Sequence, residues 1–393
     1  MESNLLICSL DAEKCFDSIW HDGLFYQLHV KKLFDGAVWR ALYNWYSNLK
    51  VVIKWNNDID LSKSFVVTRG TRQGSLLSPL LFNIYIKDLM TQLSECKSGL
   101  RIGSEYFNCF AYADDVTLFS PTVTGLQDLI NICHEYANKW RFRFGLCKTK
   151  CMVTGRVKFI SEPRWTLNDN LIDNVSSLDI LGSTFTSSGF STLHVEKRIQ
   201  KFDRAFYSLK ESGLSYPGLN SGTKTMLYKT SCQPVLIFGC EALALSESNF
   251  NDLEKSQGHI VKQFCGLGKR HRHSDLIKAL SIDKVRDIIS QRTVSLFHRL
   301  LQCESPTRQL CFHLVSLYIN TGVLIPGTIV HRICSLGLSP VNVMMNGSRL
   351  KLGTGNRTDN GVIDSMRHLL FNFNFNNPCS VEFSLLSLLT RAF

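Results

Sequence analysis

Two adjacent carboxylates, Asp114 and Asp115, lie between the apolar runs 110–113 and 116–119. Aromatic and β-branched residues on both sides predict a strand, a tight turn and a second strand, with the two aspartates at the tip. Gathering two carboxylates at one point is costly unless a cation neutralises them, and oxygen ligands favour Mg²⁺ or Mn²⁺. A solvated Asp-Asp turn is the competing reading. A second segment, 4–10 (NLLICSL), reads as a buried strand that ends at Asp11. A carboxylate at the C-terminal end of a central strand is well placed for a site at the sheet edge. Asp11, Asp114 and Asp115 together would make a cage for two ions about 3.5–4 Å apart, which suits in-line displacement at phosphorus.

A third segment, 69–79 (RGTRQGSLLSP), is a Gly-rich basic loop leading into a predicted helix over 80–93. Its glycines permit close backbone approach, and Arg69 and Arg72 can face phosphates. Pro79 suits a first helical turn. Around these segments, 21–46 has helical apolar spacing, broken into two helices near Asp35-Gly36. Residues 51–55 and 64–68 read as strands about the turn 56–58. Another helix is predicted over 125–142, with Pro121 and Pro163 marking loops.

Taken together, Asp11 with Phe16-Asp17, Arg69-Gly70 through Gln73-Gly74 to Ser78-Pro79, and Tyr112-Ala113-Asp114-Asp115 resemble a reverse transcriptase. The pattern is similar to the polymerases of non-LTR, LINE-type retrotransposons of jockey-like kind. Residues 140–153 (WRFRFGLCKTKCMV) resemble the motif that supplies a lysine. Leu178-Asp179-Ile180-Leu181-Gly182 resembles the primer-grip hairpin, and Gln233-Pro234 through Gly239-Cys240-Glu241 a thumb motif. The likeness covers roughly residues 3–300.

The resemblance implies an α+β fold: a palm of antiparallel sheet with helices on one face over 1–185, a helical thumb over 190–245, and a mostly helical region over 246–393. It implies RNA-directed DNA polymerisation, a primer 3′-hydroxyl attacking a dNTP on an RNA template, with two Mg²⁺ ions held by Asp11, Asp114 and Asp115. Phe16 would block a ribose 2′-hydroxyl. Ala12 and Glu13 would face the triphosphate through their backbone. Gln73 and Gly74 would contact dNTP and template, supported by Arg69 and Arg72, and Tyr112 would lie against the primer end. Lys148, with Lys150 as the alternative, would protonate the pyrophosphate leaving group. Asn-Pro often precedes that lysine in the family, whereas Gly145-Leu146-Cys147 stands here. The catalytic strand opens almost at Met1, so the fingers and endonuclease that precede it in the family are expected to be absent, the chain being truncated before the palm. Two alternatives remain: a catalytically dead remnant that at most binds nucleic acid, and an RNA-dependent RNA polymerase, against which Phe16 argues. The resemblance implies a nuclear and cytoplasmic location.

Composition is compatible with this picture. The chain of 393 residues carries a net charge of +11, and seven Lys or Arg but no acid lie between Lys139 and Lys158. A second basic run is Lys269-Arg270-His271-Arg272-His273. Such an excess suits a polyanionic partner. Apolar residues make up 44%, including 25 Phe and 6 Trp, which supports a packed core and excludes general disorder. Fourteen scattered cysteines without a signal peptide read as free thiols of a protein that is not secreted. No run of 18 apolar residues exists, so no membrane span is expected. Helices are predicted over 191–212, 221–245 and 246–300, with a break at 216–218. His194, Lys197, Arg198, Lys201 and Arg204 would give the first of these a basic face along a duplex. The alternating stretch 371–377 reads as a loop or edge strand.

Overall fold

The computed structural model describes residues 4–346 apart from 53, 56–57, 60–63, 73, 103–104, 156–158, 215, 217, 269, 303–305 and 326–327. The run 371–377, Gln73, Arg156, Lys158 and Lys269 therefore lie outside the described residues. The chain forms two compact units, one of residues 5–153 and 158–175, the other of 1–4, 154–157 and 176–393.

The first unit is built on a five-stranded sheet in the order β13-β10-β1-β9-β8. β1 (Leu5–Asp11) is apolar on both faces and buried on both, as a central strand must be. β9 (Asp115–Ser120) pairs antiparallel with β1 and with β8 (Cys109–Tyr112). β10 (Lys150–Thr154) lies on the other side of β1, and β13 (Asp173–Asn174) adds a parallel edge, so the sheet is not antiparallel throughout. The remaining pairs are short antiparallel ribbons: β2 (Lys50–Val51) with β5 (Phe65–Val66), β3 (Lys54–Trp55) with β4 (Asp58–Ile59), β6 (Leu100–Ile102) with β7 (Glu105–Phe107), and β11 (Thr166–Leu167) with β12 (Asn170–Leu171).

Helix α1 (Cys15–Ser18) is one turn, followed by α2 (His21–Val30) and α3 (Gly36–Ser47), divided where the sequence predicts. The long helices α4 (Leu77–Glu95) and α5 (Val123–Lys139) pack on the sheet. Leu126, Leu129, Ile130, Cys133 and Tyr136 fall on one face of α5 and are all buried. Each such large apolar side chain contributes about 1.5–3 kcal/mol. The Thr122 side chain caps α5 by accepting from Gly125 N at 3.1 Å. The last turn of α4 is closed by buried Asn108, whose amide donates to Leu93 O and Cys96 O.

The second unit begins with the hairpin β14 (Ser177–Ile180) and β15 (Ser183–Thr186), which clusters here and not with residues 5–175. Helices α6 (Thr192–Leu209), α7 (Ser221–Leu227), α8 (Gln233–Ile237), α9 (Glu247–Phe264), α10 (His273–Ala279), α11 (Val285–Gln302), α12 (Pro306–Thr321), α13 (Ile329–Ser335) and α14 (Pro340–Asn346) follow. The helix expected to run on through 245 stops at Ile237. Gly239 has φ +75°, and a Cβ there would stand 2.6 Å from Ser183 Oγ. The basic face expected on α6 is also divided. His194 and Arg198 are buried, and Lys197 donates to Asp179, leaving Lys201 and Arg204 exposed. The chain's charge pattern did not reveal that this face packs against the hairpin. The 12 described cysteines are free. Among the described residues no helix is long and apolar enough to cross a membrane.

Candidate active site

Asp11 and Asp115 are register partners across β1 and β9, and Asp115 also pairs with Tyr112. The turn between β8 and β9 is Ala113-Asp114, with Ala113 at φ +51°. Asp115 is thus the first residue of a strand, not part of the tip as expected. The Asp114 carbonyl accepts from Ala12 N at 3.2 Å, which ties the turn to the end of β1. Three carboxylates therefore share one corner of the sheet. Burial, then the charges of Asp114 and Asp11, push the Asp115 carboxyl above its usual range, and Lys148 opposes this.

Lys148 reaches the same corner. Its ammonium donates to both Asp11 oxygens, at 3.0 and 3.2 Å. That hydrogen bond, then the Asp11 charge, holds the ammonium above the usual lysine range. Lys150 donates instead to Asp173 at 2.6 Å and so faces the sheet edge. Of the two lysines considered from the sequence, the fold brings only Lys148 to the carboxylates. The loop before it is anchored by Gly145 N donating to Asp11 O at 2.8 Å.

Among the described residues, no three His, Cys, Asp or Glu side chains are arranged as a metal-holding group, so the expected cage is not closed. The Lys148 ammonium contacts both Asp11 oxygens at this corner. The donor chemistry nonetheless fits a hard divalent cation. It is all oxygen, and the mutual repulsion felt by Asp115 is what a divalent charge relieves.

The expected backbone role of Ala12 and Glu13 is not available. Ala12 N is used by Asp114 O, and Glu13 N donates to Arg143 O at 2.9 Å. Phe16 is half-buried with its ring 5.4 Å from Phe82 of α4. The loop 69–71 is strapped to the Phe16 segment. Thr71 N donates to Phe16 O at 2.7 Å, Gly70 N to Ile19 O at 2.8 Å, and His21 Nε2 meets Gly70 O at 2.7 Å. Arg69 is exposed and bridges Trp20 through its backbone, while the Arg72 guanidinium sits 5.5 Å from the Trp45 ring centre. Gly74 has φ +79°, and Tyr112 is exposed.

A cleft of about 660 Å³ opens beside these residues, lined by Glu13, Lys14, Asp17, Arg69, Arg141 and Arg143 among others. Lys14 carries no sequence signal of its own, whereas Arg141 and Arg143 belong to the basic run 139–158. The signal was the alternation in 140–144: Trp140, Phe142 and Phe144 are buried, while Arg141 and Arg143 point to solvent.

Residues 1–185 match the family model for reverse transcriptase (RNA-dependent DNA polymerase). Over these residues the chain is similar to the reverse-transcriptase family. The relatives it resembles include RNA-directed DNA polymerases from mobile element jockey and transposon BS, and Pol polyproteins from R2 retrotransposable elements. It is 23% identical over 301 residues to the RNA-directed DNA polymerase from mobile element jockey of Drosophila melanogaster, covering 74% of this chain and 32% of that protein. It is 35% identical over 125 residues to the Pol polyprotein from type-2 retrotransposable element R2DM of the same species, covering 32% of this chain and 11% of that one. The chain spans about 32% of the length of the jockey-type relatives it matches. It also has a faint likeness to apo telomerase from Candida tropicalis, with a TM-score of 0.37 at 11% identity over 92% of this chain and 53% of that one.

Proposed function

We propose that this chain carries the polymerase centre of a non-LTR retrotransposon reverse transcriptase. The substrates are dNTPs, an RNA template and a DNA primer. The observation that carries the reading is the corner where Asp11 pairs with Asp115, Asp114 closes the turn, and Lys148 rests on Asp11. Residues 5–175 then act as a palm, the β14–β15 hairpin as a primer grip, and the following helices as a thumb.

Asp11, Asp114 and Asp115 would hold the Mg²⁺ ions the family generally uses, which acidify the attacking hydroxyl and stabilise charge at phosphorus. The chain's own groups do the rest. Lys148, kept protonated by Asp11, is the proton donor for the pyrophosphate leaving group. Phe16, braced by Phe82, fills the space beside the sugar 2′ position. Lys14, Arg69, Arg141 and Arg143 line the cleft that receives the triphosphate. Arg72, Gln73 and Gly74 face nucleotide and template, and Tyr112 the primer terminus.

The test is Asp114→Asn in the full chain. It removes one charge at the metal site and none along the groove. We expect dNTP incorporation on an RNA template to be lost while primer–template affinity stays within about twofold of wild type. Incorporation at the wild-type rate would overturn the assignment.

A further inference from the structure

The β14–β15 hairpin ends in the two-residue loop Leu181-Gly182, with φ +48° and +80°, the left-handed pair that matches the twist of the flanking strands. A two-stranded ribbon is marginal by itself. This one is held from behind by α6 and by the turn after α8. His194 is 0% exposed. Its Nδ1 accepts from Thr184 N at 3.1 Å, and its Nε2 lies 3.0 Å from Phe238 O. One neutral tautomer, protonated on Nε2, satisfies both contacts.

Arg198, one turn along α6, donates from Nη2 to Gly182 O at 3.0 Å, and its guanidinium lies 5.1 Å from the Phe238 ring centre. It is 5% exposed, its Nε has no hydrogen-bond partner, and among the described residues no carboxylate pairs with it. The Asp179 carboxylate nearby is taken by Lys197, at 2.9 Å to both oxygens. A buried cation without a counter-ion is a poor way to stabilise a fold, and an apolar residue of similar volume would serve better. In front of this charge stand two exposed apolar side chains, Leu181 and Phe238. Gly182 lets the Phe238 ring close on the hairpin tip, since a Cβ there would already lie 3.2 Å from Phe238 Cε1.

We infer that Arg198 and His194 are positioning residues for the primer strand: they fix the hairpin tip, and the unpaired Arg198 charge behind Leu181 and Phe238 favours the sugar–phosphate backbone there. This rests on the primer-grip reading of the hairpin. The anion supplies the counter-charge that the protein itself withholds, and the apolar pair packs on the sugar.

The experiment compares Arg198→Met, Arg198→Lys and His194→Gln with wild type in the full chain. Three quantities are read: thermal stability, affinity for a primer–template duplex against unprimed RNA, and KM and kcat for primer extension. Arg198→Met should keep or raise the melting temperature yet weaken primer–template affinity and raise its KM about tenfold, through loss of the tip's anchor and of the charge behind it. The dNTP KM and the affinity for unprimed RNA should hardly move. Arg198→Lys, which keeps charge and donor, should recover most of the loss. His194→Gln should fall between them. Wild-type primer–template affinity in Arg198→Met would overturn the inference, as would a loss matched by an equal loss for unprimed RNA. If wild type fails to incorporate dNTPs, the polymerase reading fails, and the binding comparison still decides the role of Arg198.

Discussion

Replacing Gly70 by Ala tests how tightly the basic loop is tied to the segment bearing Phe16. Gly70 has φ +88°, and a Cβ there would sit 2.9 Å from Asp17 Cα, 2.9 Å from Asp17 O and 3.0 Å from Phe16 O. All three are backbone atoms, so no side-chain rotation relieves the contact. The left-handed backbone costs about 1–2 kcal/mol for an L-residue, and the forced shift of packed backbone about 1–3 kcal/mol more. Gly74 supplies the control, because φ is +79° but nothing lies within 4 Å of the added Cβ. Gly74→Ala should therefore show only the first contribution, about 1–2 kcal/mol. The entropy gained by restricting the unfolded chain is common to both and cancels in the comparison. All 6 tryptophans, Trp20, Trp39, Trp45, Trp55, Trp140 and Trp165, lie in the first unit, so their emission during urea unfolding reports that unit alone. Gly70→Ala should be the less stable variant by about 1–3 kcal/mol. Equal unfolding midpoints for the two would refute the claim that the loop abuts the Phe16 backbone.

Phe16→Val removes the ring braced on Phe82 and should raise ribonucleotide incorporation relative to deoxyribonucleotide in kcat/KM; unchanged discrimination would place the steric barrier elsewhere. Lys148→Ala should slow single-turnover incorporation far more than Lys150→Ala, since only Lys148 contacts Asp11; comparable rates for the two variants would remove Lys148 from the chemistry. His194 is pushed down to about 4 by burial, then by Arg198, with Asp179 and Phe238 O opposing. The unfolded chain then binds the extra proton between pH ~6.5 and ~4, so stability is full above that window and falls on acidification by up to about 3 kcal/mol. Denaturant melts of the helical unit by circular dichroism at pH 7 and 5 should show this fall in wild type and a smaller one in His194→Gln; identical pH dependence would sink it.

The strands around the aspartates were legible because their patterns are local. An apolar run buried on both faces reads directly as a central strand, and a pair of carboxylates closing two such runs reads as a turn. The helices on either side of Asp35-Gly36, and α4 and α5, followed from apolar spacing for the same reason. Less was legible where one residue type has two uses. The amides of Ala12 and Glu13 looked free for a triphosphate, but the fold closes them on Asp114 and Arg143. The basic residues on α6 looked like one face along a duplex, but two of them, His194 and Arg198, are interior.

The chain's own order of residues determined which groups gather at the sheet corner, because strand register carries Asp11 to Asp115 once β1 and β9 pair. It also set the alternation that turns Arg141 and Arg143 outward and Trp140, Phe142 and Phe144 inward. Tertiary structure alone decided which lysine meets the carboxylates, because Lys148 and Lys150 differ only in the neighbour that folding brings within reach, Asp11 in one case and Asp173 in the other. It likewise decided that Arg198 is buried without a counter-ion while Lys197 beside it is paired. Burial and pairing depend on segments far apart in the chain, here the hairpin tip and the turn after α8, and no local pattern encodes their meeting.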